Sequence, residues 1–250
     1  MKHRLALILS AVAVFLLQGV CDAASHPDAS SLFGSRQVLL VTSASWDATT
    51  GQLQLFERES LAKPWTAVGK SIPVSLGRTG MAWGIGLHPD PRLDGPDKHE
   101  GDGKAPAGVF RVSTAFGAAP TDATDRFPFI TISNDFECVE DVTSSSYNRI
   151  ADGTTSLRDW KSSETMLRPD GLYAVGAFVD HNSDPVVPGK GSCIFLHIWR
   201  GPGQSTAGCT AMEEGALRSL LSRLDSGRKP LLVQLPRAEY QKLKKEWGLP

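Results

Sequence analysis

Cys209 and His197 are the side chains of this sequence best suited to nucleophilic chemistry. A thiolate is a strong nucleophile, and an imidazole within reach can take the thiol proton. His197 lies near the end of Cys193 to Trp199, an apolar run that reads as a core strand. Cys209 comes 12 residues later, after the small residues Gly203, Ser205, Thr206, Ala207 and Gly208. A strand with a glycine-rich return can bring the two side chains together. Thr210 and Glu213 have the spacing of a capping box. Leu217, Leu220, Leu221 and Leu224 then follow at helical spacing, so a helix is expected over 212–225. That reading sets Cys209 at a helix N-terminus, where the backbone dipole favours thiolate and free N–H groups can receive an oxyanion. Gly208 permits a tight turn there. On these residues alone the reading divides evenly between a nucleophile and an inert buried thiol beside a satisfied core histidine.

Other elements must hold this pair in place. Strands are expected at Gln37–Thr42, Leu53–Glu57, Ser71–Leu76, Val109–Ala115, Leu172–Asp180, Cys193–Trp199 and Leu231–Leu235. Pro236 opens a last helix with Tyr240, Leu243 and Trp247 on its apolar side. Residues 77–108 are dense in glycine and carry Pro89, Pro91, Pro96 and Pro106, so a long structured loop without regular elements is expected. Residues 121–169 give mixed signals and read as short helices. The chain of 250 residues is 41% hydrophobic and 21% charged, with 24 glycines, 16 prolines and a net charge of −1. That composition excludes a disordered chain, a collagen-like repeat and a polytopic membrane protein. It also lacks the basic field of a generic nucleic-acid binder. The expected fold is one mainly β domain, a sandwich or open barrel with a few short helices.

Lys2 and Arg4 precede an apolar run, Leu5 to Leu17, followed by Cys21-Asp22-Ala23-Ala24. This is the pattern of a secretory signal peptide over 1–24, too short for a membrane span. An uncleaved anchor and a lipid-modified Cys21 are the alternatives. Residues 25–36 read as a flexible lead-in and 37–250 as the folded domain. Cleavage leaves Cys138, Cys193 and Cys209, an odd number for an exported chain, so at least one thiol is left over.

Phe195-Leu196-His197, the glycine-rich return and Ser205-Thr206-Ala207-Gly208-Cys209 resemble the active-site motif of the L,D-transpeptidase catalytic domain (YkuD-type). That motif is a His, a spacer, Ser or Thr, any residue, Gly and Cys. Glu100-Gly101-Asp102-Gly103-Lys104, with Pro106 and Gly108-Val109-Phe110, is similar to a further family segment. Gly84-Ile85-Gly86-Leu87-His88 and Ser146-Tyr147-Asn148 resemble one branch of it. The resemblance spans roughly residues 37–236. It implies a periplasmic cysteine enzyme acting on peptidoglycan stem peptides, without metal or other cofactor, and a monomer. Cys209 becomes the nucleophile and His197 the base. A carbonyl at Ile198 orients the imidazole, and the N–H groups of Gly208 and Cys209 receive the oxyanion. The implied product is a 3→3 cross-link formed through a thioester.

Family members often carry His before the motif Gly and Arg two residues after the Cys; here these are Ala207 and Ala211. Arg200 is the candidate replacement for that Arg as carboxylate anchor. His88, Tyr147 (with Asn148) and Thr206 are further candidate substrate contacts, and Trp199 flanks the site. Asp102 and Lys104 are expected to shape their loop as an ion pair. With Cys209 as nucleophile, Cys138 and Cys193 are left to form a disulfide that buttresses the strand of His197. The rival pair, Cys193 with Cys209, would silence the site. Hydrolysis with the same residues, as an L,D-carboxypeptidase or an amidase, is the alternative activity. A zinc peptidase is disfavoured because His26, His88, His99, His181 and His197 show no ligand spacing. A non-catalytic envelope module with a retired site is the remaining rival, kept open by Ala207 and Ala211.

Overall fold

A computed structural model describes residues 29–88, 94–119 and 125–250 of the chain. The expected signal peptide lies outside the described residues. Within the stretch read as lead-in, Ala29–Gly34 is a 3-10 turn, and the Leu32 side chain sits in the core.

The first strands are β1 (Gln37–Ser43), β2 (Thr50–Glu57), β3 (Thr66–Ser75), β4 (Met81–Trp83), β5 (Ala105–Gly117) and β6 (Phe129–Thr131). Three short ones follow: β7 (Phe136–Val139), β8 (Ile150–Asp152) and β9 (Ser163–Thr165). The chain ends with β10 (Val175–Val179), β11 (Phe195–Ile198), β12 (Thr210–Met212), α1 (Glu214–Leu221), β13 (Leu231–Pro236) and α2 (Arg237–Leu243). The main sheet runs β10-β11-β12-β3-β2-β1-β13-β5-β4, and a further pairing of β10 with β5 closes it into a barrel. β7, β8 and β9 form a separate three-stranded sheet.

Burial explains the central strands. Val38-Leu39-Leu40-Val41 of β1 and all of β13 are buried, and the two pair in parallel with Val38 opposite Leu231. A strand buried on both faces reads as a continuous apolar run. The covering comes from α1, which buries Leu217, Leu220 and Leu221, and from Leu243 and Trp247 at the C-terminal end. Gln234 is a polar exception inside β13. Its amide donates to the Pro106 carbonyl at 2.9 Å, and its oxygen accepts from the Thr210 hydroxyl at 2.6 Å. This bond ties β12 to β13 and β5, and a buried polar side chain needs such partners.

Three expectations are corrected. The helix expected over 212–225 begins at Glu214, with Glu213 as its N-cap accepting from the Ala216 N–H at 2.7 Å. Thr210 caps nothing: it opens β12, which lies parallel to β11. Thr210, Ala211 and Met212 are almost wholly buried, so their backbone groups need the partners that β11 offers. The glycine-dense loop contains β4, whose buried Met81, Ala82 and Trp83 pair with β5. Residues 125–169 form short strands and turns rather than helices. Among the described residues no helix is long and apolar enough to cross a membrane.

Candidate active site

The register of β11 and β12 builds the centre of the site. His197 pairs with Ala211, and Cys209 stands two residues before Ala211. Paired residues share a face, so Ala211 and His197 point the same way, and Cys209 stands in the bend just ahead of β12. All three line a cleft of about 290 Å³. The loop between the strands is pinned at Thr206, which bridges to Gly77 and receives the Arg78 N–H at 2.8 Å. The Thr206 hydroxyl accepts from the Gly208 N–H at 3.1 Å and donates to the Cys209 carbonyl at 2.6 Å. A Cβ at Gly208 would lie 3.1 Å from the Lys104 carbonyl oxygen, a tight contact that the glycine avoids.

The Cys209 thiol donates to the Cys193 carbonyl at 3.4 Å, and its sulfur accepts from the Phe195 N–H at 3.3 Å. Among the described residues it makes no hydrogen bond to His197. Burial pushes the thiol pKa up to about 12, with the Glu164 charge acting in the same direction. The expected helix dipole is absent, because β12 rather than a helix follows Cys209. The resting group is therefore a neutral thiol. His197 is also neutral: burial lowers its pKa to about 4. Its Nδ1 lies 2.7 Å from the Ile198 carbonyl oxygen, which can only accept. The proton is thus on Nδ1, and Nε2 is left with a lone pair for a thiol proton.

Cys138 and Cys193 form a disulfide, with Cα atoms 5.9 Å apart, and Cys209 is the free cysteine among the described residues. Cys193 has a φ of 56° and precedes β11, so it is not part of the regular alternation that sequence reading gave it. Asn148 braces this turn. Its side-chain oxygen accepts from the Cys193 N–H at 2.9 Å, and its amide donates to the carbonyls of His181 and Asn182.

The other expected site residues divide. Arg200, Thr206 and Trp199 line the cleft. Tyr147 does not: it is buried, and its hydroxyl donates to Glu100, which also accepts from the Ser192 hydroxyl at 2.7 Å. Tyr147 is a support for a cleft residue rather than a substrate contact. His88 lines a different cavity beside Trp83. Its ring packs against Trp83, Phe110 and Trp247, and Nδ1 accepts from the Val109 N–H at 3.0 Å. The Gly208 N–H is occupied by the Thr206 hydroxyl, so of the two N–H groups expected to receive an oxyanion it is not free to do so in this arrangement. The expected pair of Asp102 with Lys104 is replaced by a 2.6 Å ion pair of Asp102 with Lys98. Asp102 also accepts from the Lys104 N–H, while the Lys104 ammonium donates to the Thr79 carbonyl at 2.6 Å. Loop geometry turns Lys104 away because Asp102 caps its backbone.

Sequence reading missed one wall of the cleft. Glu140, Glu164, Arg168 and Tyr173 line it, and all come from the small sheet or from the chain joining it to β10. Glu140 is raised to about 7 by burial and by Glu164 and Glu100. Glu164 pairs with Arg168 at 3.0 Å. Their i,i+4 spacing was a visible signal, yet no periodicity marked the segment as facing a site.

A neutral thiol and a base with a fixed tautomer in one cleft can perform acyl transfer through a thioester. No curated protein and no solved structure gives a significant match to the chain. The family model of the L,D-transpeptidase catalytic domain matches residues 46–233, a span that holds β11, β12, Cys209 and His197. The chain belongs to the L,D-transpeptidase catalytic domain family.

Proposed function

We infer that the chain is a peptidoglycan L,D-transpeptidase that forms 3→3 cross-links, with Cys209 as nucleophile and His197 as base. The observation that carries this is that Cys209, at the entry to β12, and His197, on the neighbouring β11, line one cleft. His197 Nε2 takes the thiol proton. The sulfur attacks the carbonyl of the third residue of a tetrapeptide stem, and the Cys209 N–H supports the oxyanion. The C–N bond to D-Ala breaks, and the D-Ala amine leaves with the proton from His197. An amine of a second stem then attacks the thioester and gives its proton to His197. The amide forms and the thiol is regenerated. One peptide bond is broken and one made, so no ATP is needed.

Substrate anchoring follows from charge. Ala211 supplies no cation at the position where the family often has Arg. Arg200 at the rim is exposed, and its charge acts on His197, so it is within reach of a carboxylate bound there. Glu140 and Glu164 face the same cleft and suit the amino groups of a diamino acid. Residues 1–24 direct the chain to the periplasm, where this substrate is found.

The test is incubation of the exported protein, and of Cys209→Ala beside it, with purified disaccharide-tetrapeptide, followed by mass spectrometry. Cross-linked dimers that have lost one D-Ala, absent with the variant, are expected. Tripeptide monomers alone would replace transpeptidation with the carboxypeptidase reading, and turnover by Cys209→Ala would overturn both.

A further inference from the structure

Tyr173 stands directly ahead of β10, with its ring edge-on to His197 at 5.1 Å and to Phe195 at 5.4 Å. Its hydroxyl lies 2.7 Å from a Glu164 oxygen. Tyr173 and Cys209 belong to one buried cluster and line the same cleft, which puts the phenol beside the sulfur. One phenolic proton cannot serve two acceptors at once. In the resting state the carboxylate is the better acceptor, because the thiol keeps its own proton and donates it to the Cys193 carbonyl. Once the sulfur is ionised, it becomes an acceptor that competes for the phenol.

We propose that Tyr173 is a further catalytic residue that donates its hydroxyl proton to the ionised Cys209 sulfur, and that Glu164 is the positioning carboxylate that holds that proton away until then. This rests on the reading of Cys209 as nucleophile. The step balances: the S–H proton moves to His197 Nε2, the Tyr173 O–H turns from Glu164 to sulfur without leaving its oxygen, and Glu164 keeps the Arg168 guanidinium at 3.0 Å. Arg168 also stacks over the Tyr173 ring at 5.1 Å, so one cation steadies both members of the switch. Burial and the Glu164 carboxylate both hold the thiol neutral at rest.

The remaining ionisable groups around the thiol come from other elements. They are His197 on β11, Lys98 and Glu100 from the segment before β5, and Glu140 past β7; Arg78 and Arg200 stand on the cleft wall. Of these, Lys98 eases ionisation of Cys209 by its charge. The two residues of the switch act in opposite directions. Glu164 opposes the thiolate, and the Tyr173 hydroxyl favours it.

The experiment measures the pH profile of iodoacetamide alkylation at Cys209 by intact mass, in the disulfide-bonded exported protein. Tyr173→Phe keeps the ring and its packing but removes the donor. Its profile should move to higher pH, with alkylation about tenfold slower at a given pH, the weight of one hydrogen bond to a charged group. Glu164→Gln keeps an acceptor for the phenol but removes the charge, and its profile should move to lower pH. Opposite shifts support the switch. Profiles that stay with wild type, or that move together, overturn it; if Tyr173→Phe does not fold, an unmoved Glu164→Gln profile overturns it alone. The thiol titration needs no substrate. Unmoved profiles in an enzyme that still cross-links through Cys209 sink the switch and leave the proposed function standing. Shifted profiles in a protein inert on every stem peptide sink the proposed function instead.

Discussion

In the barrel, β1 and β13 pair through side chains that are nearly all buried, and one continuous apolar core joins them to β2, β5 and α1. In the three-stranded sheet, only Val139, Ala151 and Trp160 make an apolar cluster of their own. Cys138 and Met166, with Phe136 and Ile150 packed against them, join a second apolar cluster with Phe116 and Phe195 of the barrel, and polar groups add to it. Glu137 accepts from the Trp160 indole at 2.8 Å and the Ser163 hydroxyl at 2.7 Å. Asp159 accepts from Ser144 and Ser145, and Asp141 from Thr143 and the Lys161 N–H. The disulfide crosses from this sheet to the start of β11. The barrel thus fixes Cys209 and His197 by backbone register, while the small sheet brings charged side chains to the same cleft. In the proposed mechanism the nucleophile and base stand on the barrel, and Glu164 of the small sheet acts on the nucleophile from across the cleft.

The largest way to break this contrast is Phe110→Ala. Phe110 is fully buried in the barrel, so its loss should cost about 3–5 kcal/mol and remove activity together with the fold. Thermal unfolding and turnover, measured on one sample, check it. Next is Cys138→Ala with Cys193→Ala. The bridge closes a separation of 55 residues, for which the chain-entropy relation gives roughly 4 kcal/mol as an upper figure. Hydrogen exchange should rise first in 136–165 and only later in β1 and β13; a uniform rise would erase the distinction. A smaller effect is expected of Glu137→Gln. It weakens the ties to Trp160 and Ser163 by about 1–2 kcal/mol, and shows as local exchange around β7 and β9 with the barrel transition unmoved.

The two regions differ in their histidines and Glu140, while Asp180 after β10, raised by burial, acts against His181. His181 and His197 belong to the barrel, and burial holds both at about 4. The unfolded chain binds those protons first, so barrel stability present above pH 6.5 is lost as pH falls toward 4. Glu140 beside β7 is held up at about 7 by burial. Its contribution is fully present below pH 4.5 and is lost as pH rises through 7. The lowered carboxylates Glu137, Asp141 and Asp159 act only below that window. Between pH 5 and 7.5, exchange corrected for its intrinsic rate should protect the barrel better at the upper end and the small sheet better at the lower end. The smallest expected change is Arg158→Ala. Arg158 is 56% exposed in its pair with Glu137, so a shift in stability beyond about 0.5 kcal/mol would contradict the reading.

The same contrast explains what the sequence could disclose. Val38 to Val41, Leu231 to Leu235 and the leucines of α1 carry their periodicity in the open, because burial repeats along the chain. The order His197, Gly208, Cys209 is local and was legible for that reason. Thr210 misled, since its capping spacing with Glu213 is real while its hydroxyl is claimed by Gln234, 24 residues away. Tyr147 and His88 have chemistry-bearing side chains, and only their burial reveals them as supports. Tyr173 and Glu164 lie in a segment with strands of three residues, too short to show alternation. Their meeting with Cys209 is a product of tertiary placement.

The parallel pairing of β1 with β13 also sets a schedule. Val38 lies opposite Leu231, so the first strand of the barrel waits for its last. The hairpins β1–β2 and β2–β3 close through nearby residues and can form while the chain is still being made. The strand between β1 and β5 is missing until then, and so is Gln234, the internal partner of Thr210 beside the nucleophile. A chain cut short before residue 231 therefore carries Cys209 but lacks the Gln234 partner of its neighbour Thr210. The last strand of the barrel thus completes the setting of the residue next to Cys209.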